Sequence, residues 1–499
     1  MYLRPILQRA KNLFIRTMAT TTKYDAIVIG SGQGGTPLAR ALAEAKHKTA
    51  LIEREHIGGC CVNDGCTPTK TMIASGRVAY LSQRGPDYGV HSPPGASGSA
   101  RRNEVSIDME KIRQRKRDIV KSFRTGNENR TKGAGVDVLM GDASFVGDRI
   151  LSVLMGDGSH RLVSGEKVII NTGCRPAAPV LKGLEKVEKA RVLDSTSIME
   201  LGEVPEHLVV VGGGYIGAEF GQLFRRLRAK VTIVHRGTQL LPREDKELAD
   251  MLLDIFREDG IVVHLETTPI GISTSSNGSF DVSIRDRYGE AVLTGATHIL
   301  FAAGRVPNSK GLNAQATGVK TDERGYVVTN EVLETSAPGI YAMGDIKGPP
   351  AFTHISYDDF RVLRSSLLPS NESTSKLSVK NRLVSYVAYT DPQFAHVGLH
   401  EHEAREKFPD RKILTAQMPM TFVARALETG ETRGAMKAVV DRDTGCILGF
   451  SCLGSEGGEL MSVVQMAILG NLPYQKLQDA VFAHPTFAES LNNLWGFLK

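Results

Sequence analysis

The sequence predicts an α/β protein built around two Rossmann-type dinucleotide-binding domains. Three observations lead there. A glycine fingerprint sits between two apolar strand patterns at residues 24–53, and the same pattern returns at 207–236. The length, 499 residues, also calls for more than one hydrophobic core. Composition agrees with a globular chain, 41% apolar and 23% charged, and no apolar run approaches the roughly 18 residues a membrane helix needs. A net charge of +6 is mild for this size, and "KIRQRKR" (111–117) reads as a solvated helix face. No nucleic-acid or membrane partner is expected.

The chain opens with "MYLRPILQRAKNLFIRTMAT", which carries Arg4, Arg9, Lys11 and Arg16 and no acid. Leu3, Ile6, Leu7, Leu13 and Phe14 can share one helical face. This predicts a leader over residues 1–22 of the mitochondrial transit type, without the apolar core of a secretory signal. Met18 offers an alternative start for a cytoplasmic form. Location in the mitochondrial matrix or cytoplasm, and not secretion, is the expectation.

"YDAIVIGSGQGGTPLARALAEAKHKTALIE" (24–53) reads strand, tight turn, amphipathic helix, strand. Gly30 allows the turn, Gly32 lets backbone approach a pyrophosphate, and Gly35 lets helix and strand pack closely. The pyrophosphate would rest on the helix N-terminus, where free N–H groups favour an anion. Glu53 closes the second strand and suits ribose hydroxyls. Directly after it comes "GGCCVNDGCTPTK" (58–70), with Cys60, Cys61 and Cys66. Positions five apart on a helix have Cα atoms about 8–9 Å from each other, whereas a disulfide needs less than about 7 Å. A Cys61–Cys66 bridge would therefore need a bent segment, for which Gly58, Gly59 and Gly65 are available. Three buried thiols in a glycine-rich turn remain the alternative at this point. The six cysteines are too few and too clustered for a secreted disulfide framework.

The second fingerprint, "HLVVVGGGYIGAEFGQLFRRLRAKVTIVHR", places Gly212, Gly214 and Gly217 like Gly30, Gly32 and Gly35. Where the first copy ends in Glu53, this one ends in His235 followed by Arg236, with Arg243 close by. Cationic side chains there suit a 2′-phosphate, which predicts NADPH rather than NADH. Two dinucleotide sites with a cysteine cluster behind the first describe an electron path. A hydride donor binds at the second site, a carrier at the first, and sulfur receives the electrons. A flavin would be the carrier, because it accepts a hydride and can pass electrons to sulfur.

Several separate motifs now resemble the FAD-dependent pyridine nucleotide–disulfide oxidoreductases, from about residue 24 to the C-terminus. "GGCCVNDGCTPTK" is similar to the family's GGxCxNxGCxPxK, which implies that Cys61 and Cys66 are the redox couple and Cys60 lies outside it. "TSAPGIYAMGD" (335–345) is similar to the second FAD motif, so that Asp345 would bind the ribitol. "LFAAGRVPN" (300–308), containing Gly304, resembles the segment returning from the NAD(P) domain. "YTDPQFAHVG" (389–398) resembles the start of a dimerisation domain. "AHPTFAES" (483–490) is similar to HPTxxE, which implies His484 as acid/base and Glu489 as its orienting partner.

The resemblance implies roles for these residues. Cys61 would attack substrate, and Cys66 would face the flavin as a charge-transfer thiolate. His484 would come from the second subunit of a homodimer. Lys70 and Glu219 match a pair beside the flavin, and Tyr215 the aromatic covering the nicotinamide pocket. The implied fold adds a C-terminal α+β dimerisation domain. The expected order is FAD domain 23–196, NADPH domain 197–313, FAD domain again 314–380, and dimerisation domain 381–499. "HSPPGASGSARR" (91–102) reads as a surface insertion, "STSSNGS" (273–279) as a hairpin tip, and "PSNESTSK" (369–376) as a linker.

The expected acceptor is Hg(II), reduced to Hg(0) in mercury detoxification. "VTIVHRGTQLLPRED" and "FTHISYDDFR" resemble the mercuric-reductase group, and Cys60, where the family usually has Thr, adds a third soft thiolate. Cys61 and Cys66 would then be transient ligands of a soft-metal substrate, with Cys60 assisting. The ending "NNLWGFLK" departs from that group's C-terminal cysteine pair, and that group's separate N-terminal metal-binding domain is not expected here. Dihydrolipoamide dehydrogenase and glutathione reductase are the alternatives within the family, and a non-catalytic redox sensor is the alternative outside it.

Overall fold

The computed structural model describes residues 21–91, 105–275, 278–368 and 377–499. The leader up to residue 20, nearly all of the 91–102 insertion, the middle of "STSSNGS" and the whole of "PSNESTSK" lie outside those residues. The chain divides into two units. One comprises Met1–Thr69, Lys116–Ala177 and Arg305–Arg382; the other comprises Lys70–Arg115, Ala178–Gly304 and Leu383–Lys499.

In the first unit, β1 (Thr22–Ile29) pairs in parallel with β2 (Thr49–Glu53) and with the strand His160–Ile170. The start of Asp137–Gly147 and the strand Ile340–Ala342 extend this parallel sheet, and Ile150–Met155 adds an antiparallel excursion. Both faces of β1 are covered, which explains its run of apolar residues. Ile27 and Ile29 face one core, while Ala26 and Val28 face another. The helix α1 (Gly35–Glu44) buries Leu38, Ala39 and Leu42 against that second face. Burial of each leucine contributes about 1.5–3 kcal/mol, and Leu42→Ala would cost about 2–5 kcal/mol.

The cysteine segment is bent, as a Cys61–Cys66 contact requires. Helix α2 (Gly59–Asn63) stops at Asp64, and α3 (Cys66–Gln83) starts afresh after Gly65. A Cβ on Gly65 would lie 2.9 Å from the Cys60 carbonyl oxygen and 3.2 Å from Cys61 Cα. Glycine is needed there for close approach of the two turns.

In the second unit, β3 (His207–Val211) and β4 (Lys230–Val234) flank α4 (Tyr215–Arg226) in the second strand–turn–helix–strand pattern. Their parallel sheet has five strands, in the order Val262–His264, β4, β3, His298–Phe301 and Val192–Leu193. Beside it, Thr268–Thr274, Phe280–Asp286 and Gly289–Ala296 form an antiparallel sheet, and "STSSNGS" joins its first two strands. The C-terminal part is a five-stranded antiparallel sheet running from Ser385 to Gly454, against which the helix Gly457–Leu469 packs Leu460, Met461 and Val464. The later turns of α3 are fixed within this unit. Arg77 and Arg84 each lie 2.9 Å from Glu431, and Arg226 stacks over Tyr80 at 3.8 Å.

The basic run 111–117 lies on the helix Met109–Gly133 with most of its charges exposed, but Lys116 is buried. Among the described residues no helix is long and apolar enough to cross a membrane.

Candidate active site

The first glycine loop is built for close approach. A Cβ on Gly35 would sit 2.1 Å from the Gly30 carbonyl oxygen, so α1 meets β1 only through glycine. Glu53, at the end of β2, folds back to the loop. Its Oε2 accepts from the Ser31 N–H at 3.0 Å and from the Ser31 hydroxyl at 2.6 Å. Gly32 is crowded only by the Asn171 side chain, at 3.1 Å. The loop therefore keeps its backbone open over the start of α1, which fits a pyrophosphate there.

Asp345 follows the strand Ile340–Ala342 and is half-buried. Burial raises its pKa against the pull of Arg305 and Lys347. The preceding Gly344 N–H donates to Asp359 at 2.8 Å, and Asp359 is fully buried and paired with Arg382 at 2.8 Å. Gly304 leaves open space where a side chain would stand.

The second loop repeats the design. A Cβ on Gly217 would come within 1.9 Å of the Gly212 carbonyl oxygen, while one on Gly214 would meet nothing within 4 Å. The strand-end pair is divided in a way the sequence does not reveal. His235 Nδ1 accepts from the Gly213 N–H at 3.1 Å, and the ring is wedged between Gly213 and Gly237. Burial, then the neighbouring Arg236 charge, lowers its pKa. His235 is thus a neutral acceptor that ties down the loop. Arg236 and Arg243 are exposed and remain the cations at this end.

Lys70 Nζ lies 2.7 Å from Glu219 Oε2, and the other Glu219 oxygen accepts from the Tyr389 N–H at 2.8 Å. Tyr215, the first residue of α4, donates its hydroxyl to Glu244 at 2.7 Å.

The cysteines meet around the α2–α3 break. All three are free thiols, with Cys60 and Cys66 exposed and Cys61 half-buried. Cys61 is hydrogen-bonded to Cys66, and that bond, followed by burial, raises the Cys61 pKa strongly. Cys66 Sγ is also 3.2 Å from the Thr353 hydroxyl. Cys60 faces Arg305, whose Nη2 donates to its sulfur at 3.4 Å. Desolvation raises the Cys60 pKa more than Arg305 lowers it. Cys174 is buried nearby, donates to the Asp345 carbonyl at 3.3 Å, and has its pKa pushed up to about 12 by burial. In the other unit, His484 Nδ1 is 2.8 Å from Glu489 Oε2, and the ring is largely exposed.

The family described as "Pyridine nucleotide-disulphide oxidoreductase" matches residues 24–359, and its dimerisation domain matches residues 384–494. The chain belongs to this family. It is 34% identical over 480 residues to the probable pyridine nucleotide-disulfide oxidoreductase RclA of Escherichia coli, covering 96% of this chain and all of the relative. It is 33% identical to a mercuric reductase of Staphylococcus aureus, covering 94% of this chain and 81% of that protein. A dihydrolipoyl dehydrogenase of Thermus scotoductus is 32% identical, with 94% and 96% covered. The fold matches the solved structure of the HOCl-induced flavoprotein disulfide reductase RclA in its Cu(II) complex. The TM-score is 0.83, the identity 33%, and 96% of this chain and all of that chain are covered.

The protein is therefore an FAD-dependent oxidoreductase that takes electrons from NAD(P)H, and it carries the family's dimerisation domain. Sequence reasoning missed Ser31, Thr353, Asp359 and Arg305. Arg305 stands next to Gly304 in a quoted motif, and Thr353 and Asp359 lie in "FTHISYDDFR", so the signal was present without a role.

Proposed function

We propose that the chain passes electrons from NADPH through FAD to a Cys61–Cys66 disulfide, and from there to a thiophilic metal ion such as Hg(II) or Cu(II). The observation that carries this reading is the third thiol, Cys60, beside the couple and facing Arg305. Soft ions prefer thiolate ligands, and the Arg305 guanidinium offsets part of the desolvation that keeps Cys60 protonated. A mercuric reductase and a Cu(II)-complexed reductase are both among the similar proteins.

Bound FAD supplies the two-electron step between nicotinamide and sulfur. It would be held by the Gly30 loop, Glu53 and Asp345. Reduction of the disulfide leaves two sulfurs sharing a proton. Because the hydrogen bond to Cys66 makes Cys61 hard to deprotonate, Cys61 stays a thiol until a base removes its proton. His484 of the partner subunit is our candidate base. Glu489 holds Nδ1 and so fixes the tautomer, leaving Nε2 to act. Arg236, with Arg243, would bind the 2′-phosphate and favour NADPH over NADH.

The test is NADPH oxidation by the holoenzyme with Hg(II), Cu(II), lipoamide, oxidised glutathione and quinones. Turnover with a metal ion should vanish in Cys61→Ser. Cys60→Ser should raise KM for the ion and leave reduction of a small disulfide unchanged. Turnover with lipoamide alone would replace this reading with a disulfide reductase, which the dihydrolipoyl dehydrogenase relatives favour.

A further inference from the structure

A buried cluster of ionisable groups stands behind Tyr215, and the electron path makes no use of it. Glu244 is 4% exposed; its Oε1 accepts from the Tyr215 hydroxyl at 2.7 Å, and Tyr386 is a second hydroxyl donor to the carboxylate. Among the described residues its Oε2 has no hydrogen-bond partner, and it lies 3.9 Å from His400 Nε2. That His400 nitrogen is 3.0 Å from the Tyr386 hydroxyl, and Nδ1 is 3.6 Å from Asp245. Asp245 in turn faces Lys437 at 3.2 Å, and Lys437 also pairs with Glu247 at 2.9 Å and Glu401 at 2.8 Å.

His396 stacks on His400 with ring centres 3.8 Å apart. Glu244, His396 and His400 are close enough to hold a metal ion. Both His396 nitrogens are already engaged, however, with Ser451 at 2.8 Å and the Gly398 carbonyl at 3.1 Å. A proton is the better shared cation. Burial and the His400 charge push His396 down to about 3, so it is neutral. Burial opposes charge on His400, but Asp245, Glu244 and Glu403 outweigh it and raise its pKa. Burial raises the Glu244 pKa, helped by Asp245, while His400 and the hydrogen bonds from Tyr215 and Tyr386 lower it. Arg243 is the remaining charge acting on Tyr215.

We propose that Glu244 and His400 are positioning residues for the nicotinamide gate, and that opening the gate is coupled to uptake of one proton. The inference rests on the reading that Tyr215 covers the nicotinamide pocket and moves when cofactor enters. Displacing Tyr215 breaks its hydrogen bond and leaves a desolvated carboxylate with Tyr386 as its remaining hydroxyl donor, which raises its proton affinity. Glu244 then takes a proton from solvent, and no electron moves. His400 moderates the step by keeping part of the carboxylate charge compensated.

The experiment measures binding of NADP+, which cannot reduce the flavin, to the oxidised holoenzyme. Proton uptake is read with an indicator dye and affinity by titration across neutral to mildly alkaline pH. Native enzyme should take up protons, and affinity should fall with rising pH by up to about tenfold per unit for one coupled proton. Glu244→Gln keeps an acceptor for Tyr215 but cannot titrate, so its uptake should be absent and its pH slope flat. Tyr215→Phe removes the hydrogen bond before ligand arrives, and should also lose the uptake even if Glu244→Gln fails to fold. His400→Asn should move the uptake to higher pH, which a merely structural role would not do. The 2′-phosphate titrates near pH 6 on its own, but equally in every variant, so differences between enzymes isolate the coupled proton. Native binding without proton uptake, or full uptake retained in Tyr215→Phe, would overturn the coupling alone. No binding of NADP+, or an affinity untouched by Tyr215→Ala, would remove the gate reading and the coupling with it.

Discussion

The loop after β1 and the loop after β3 close their helices with the same contacts and diverge at the strand end. Gly35 meets the Gly30 carbonyl as Gly217 meets that of Gly212. Glu53 accepts from the N–H of Ser31, one residue after the first glycine, and His235 accepts from the N–H of Gly213 at the equivalent place. The strand-end residue thus ties down the loop in both copies, once with a carboxylate and once with an imidazole. Tethering and reading of the nucleotide are separable tasks, and under the function proposed above the reading in the second copy falls to Arg236.

The largest effect should come from a methyl group at the loop–helix contact. Gly35→Ala should strip FAD from the purified protein, seen as loss of the flavin spectrum. Gly217→Ala should leave the flavin bound and raise KM for NADPH. Loss of FAD in both would end the assignment of one cofactor to each loop. Next is Arg236→Glu, which should lower the NADPH-to-NADH ratio of kcat/KM by about 10–100-fold, the range for a hydrogen bond to a charged group. An unchanged ratio would show that Arg236 does not read the phosphate.

Smaller still is His235→Ala. It removes one acceptor and should lower stability by about 1 kcal/mol, measured as a fall in Tm, with the cofactor ratio nearly unchanged. A ratio shift as large as that of Arg236→Glu would return His235 to phosphate recognition. The smallest effect is on pH. His235 has its pKa lowered in the folded state, so its contribution is present above the ordinary histidine value of about 6.5 and is lost as pH falls below it. Acidification should therefore raise KM for NADH, which has no 2′-phosphate to titrate, and His235→Ala should abolish that trend.

The fold was legible where its signals are local. Glycine spacing and two-sided apolar strands mark both Rossmann units, and helix geometry shows that a Cys61–Cys66 bridge, the pairing the resemblance implies, needs a break between them. The sites were legible only in part, because a letter does not carry orientation. His235 reads equally as a cation or a neutral acceptor until its ring is seen between two glycines. Lys116 sits in a basic run yet is buried, which the charge pattern of its neighbours hides. Lys70 and Glu219 are 149 residues apart, and only resemblance joined them in the sequence. Nothing local connects Glu244 to His400, or Cys66 to Thr353, and those contacts emerge only from the tertiary fold.

The shared tether has a consequence for how such proteins diverge. A carboxylate at the strand end holds the first loop as an imidazole holds the second, so exchanging one for the other at position 235 should leave the backbone in place. His235→Glu would then alter the charge met by the nucleotide without loosening the loop. Lineages built on this repeat can drift between cofactors through single codon changes, each intermediate still folded and exposed to selection.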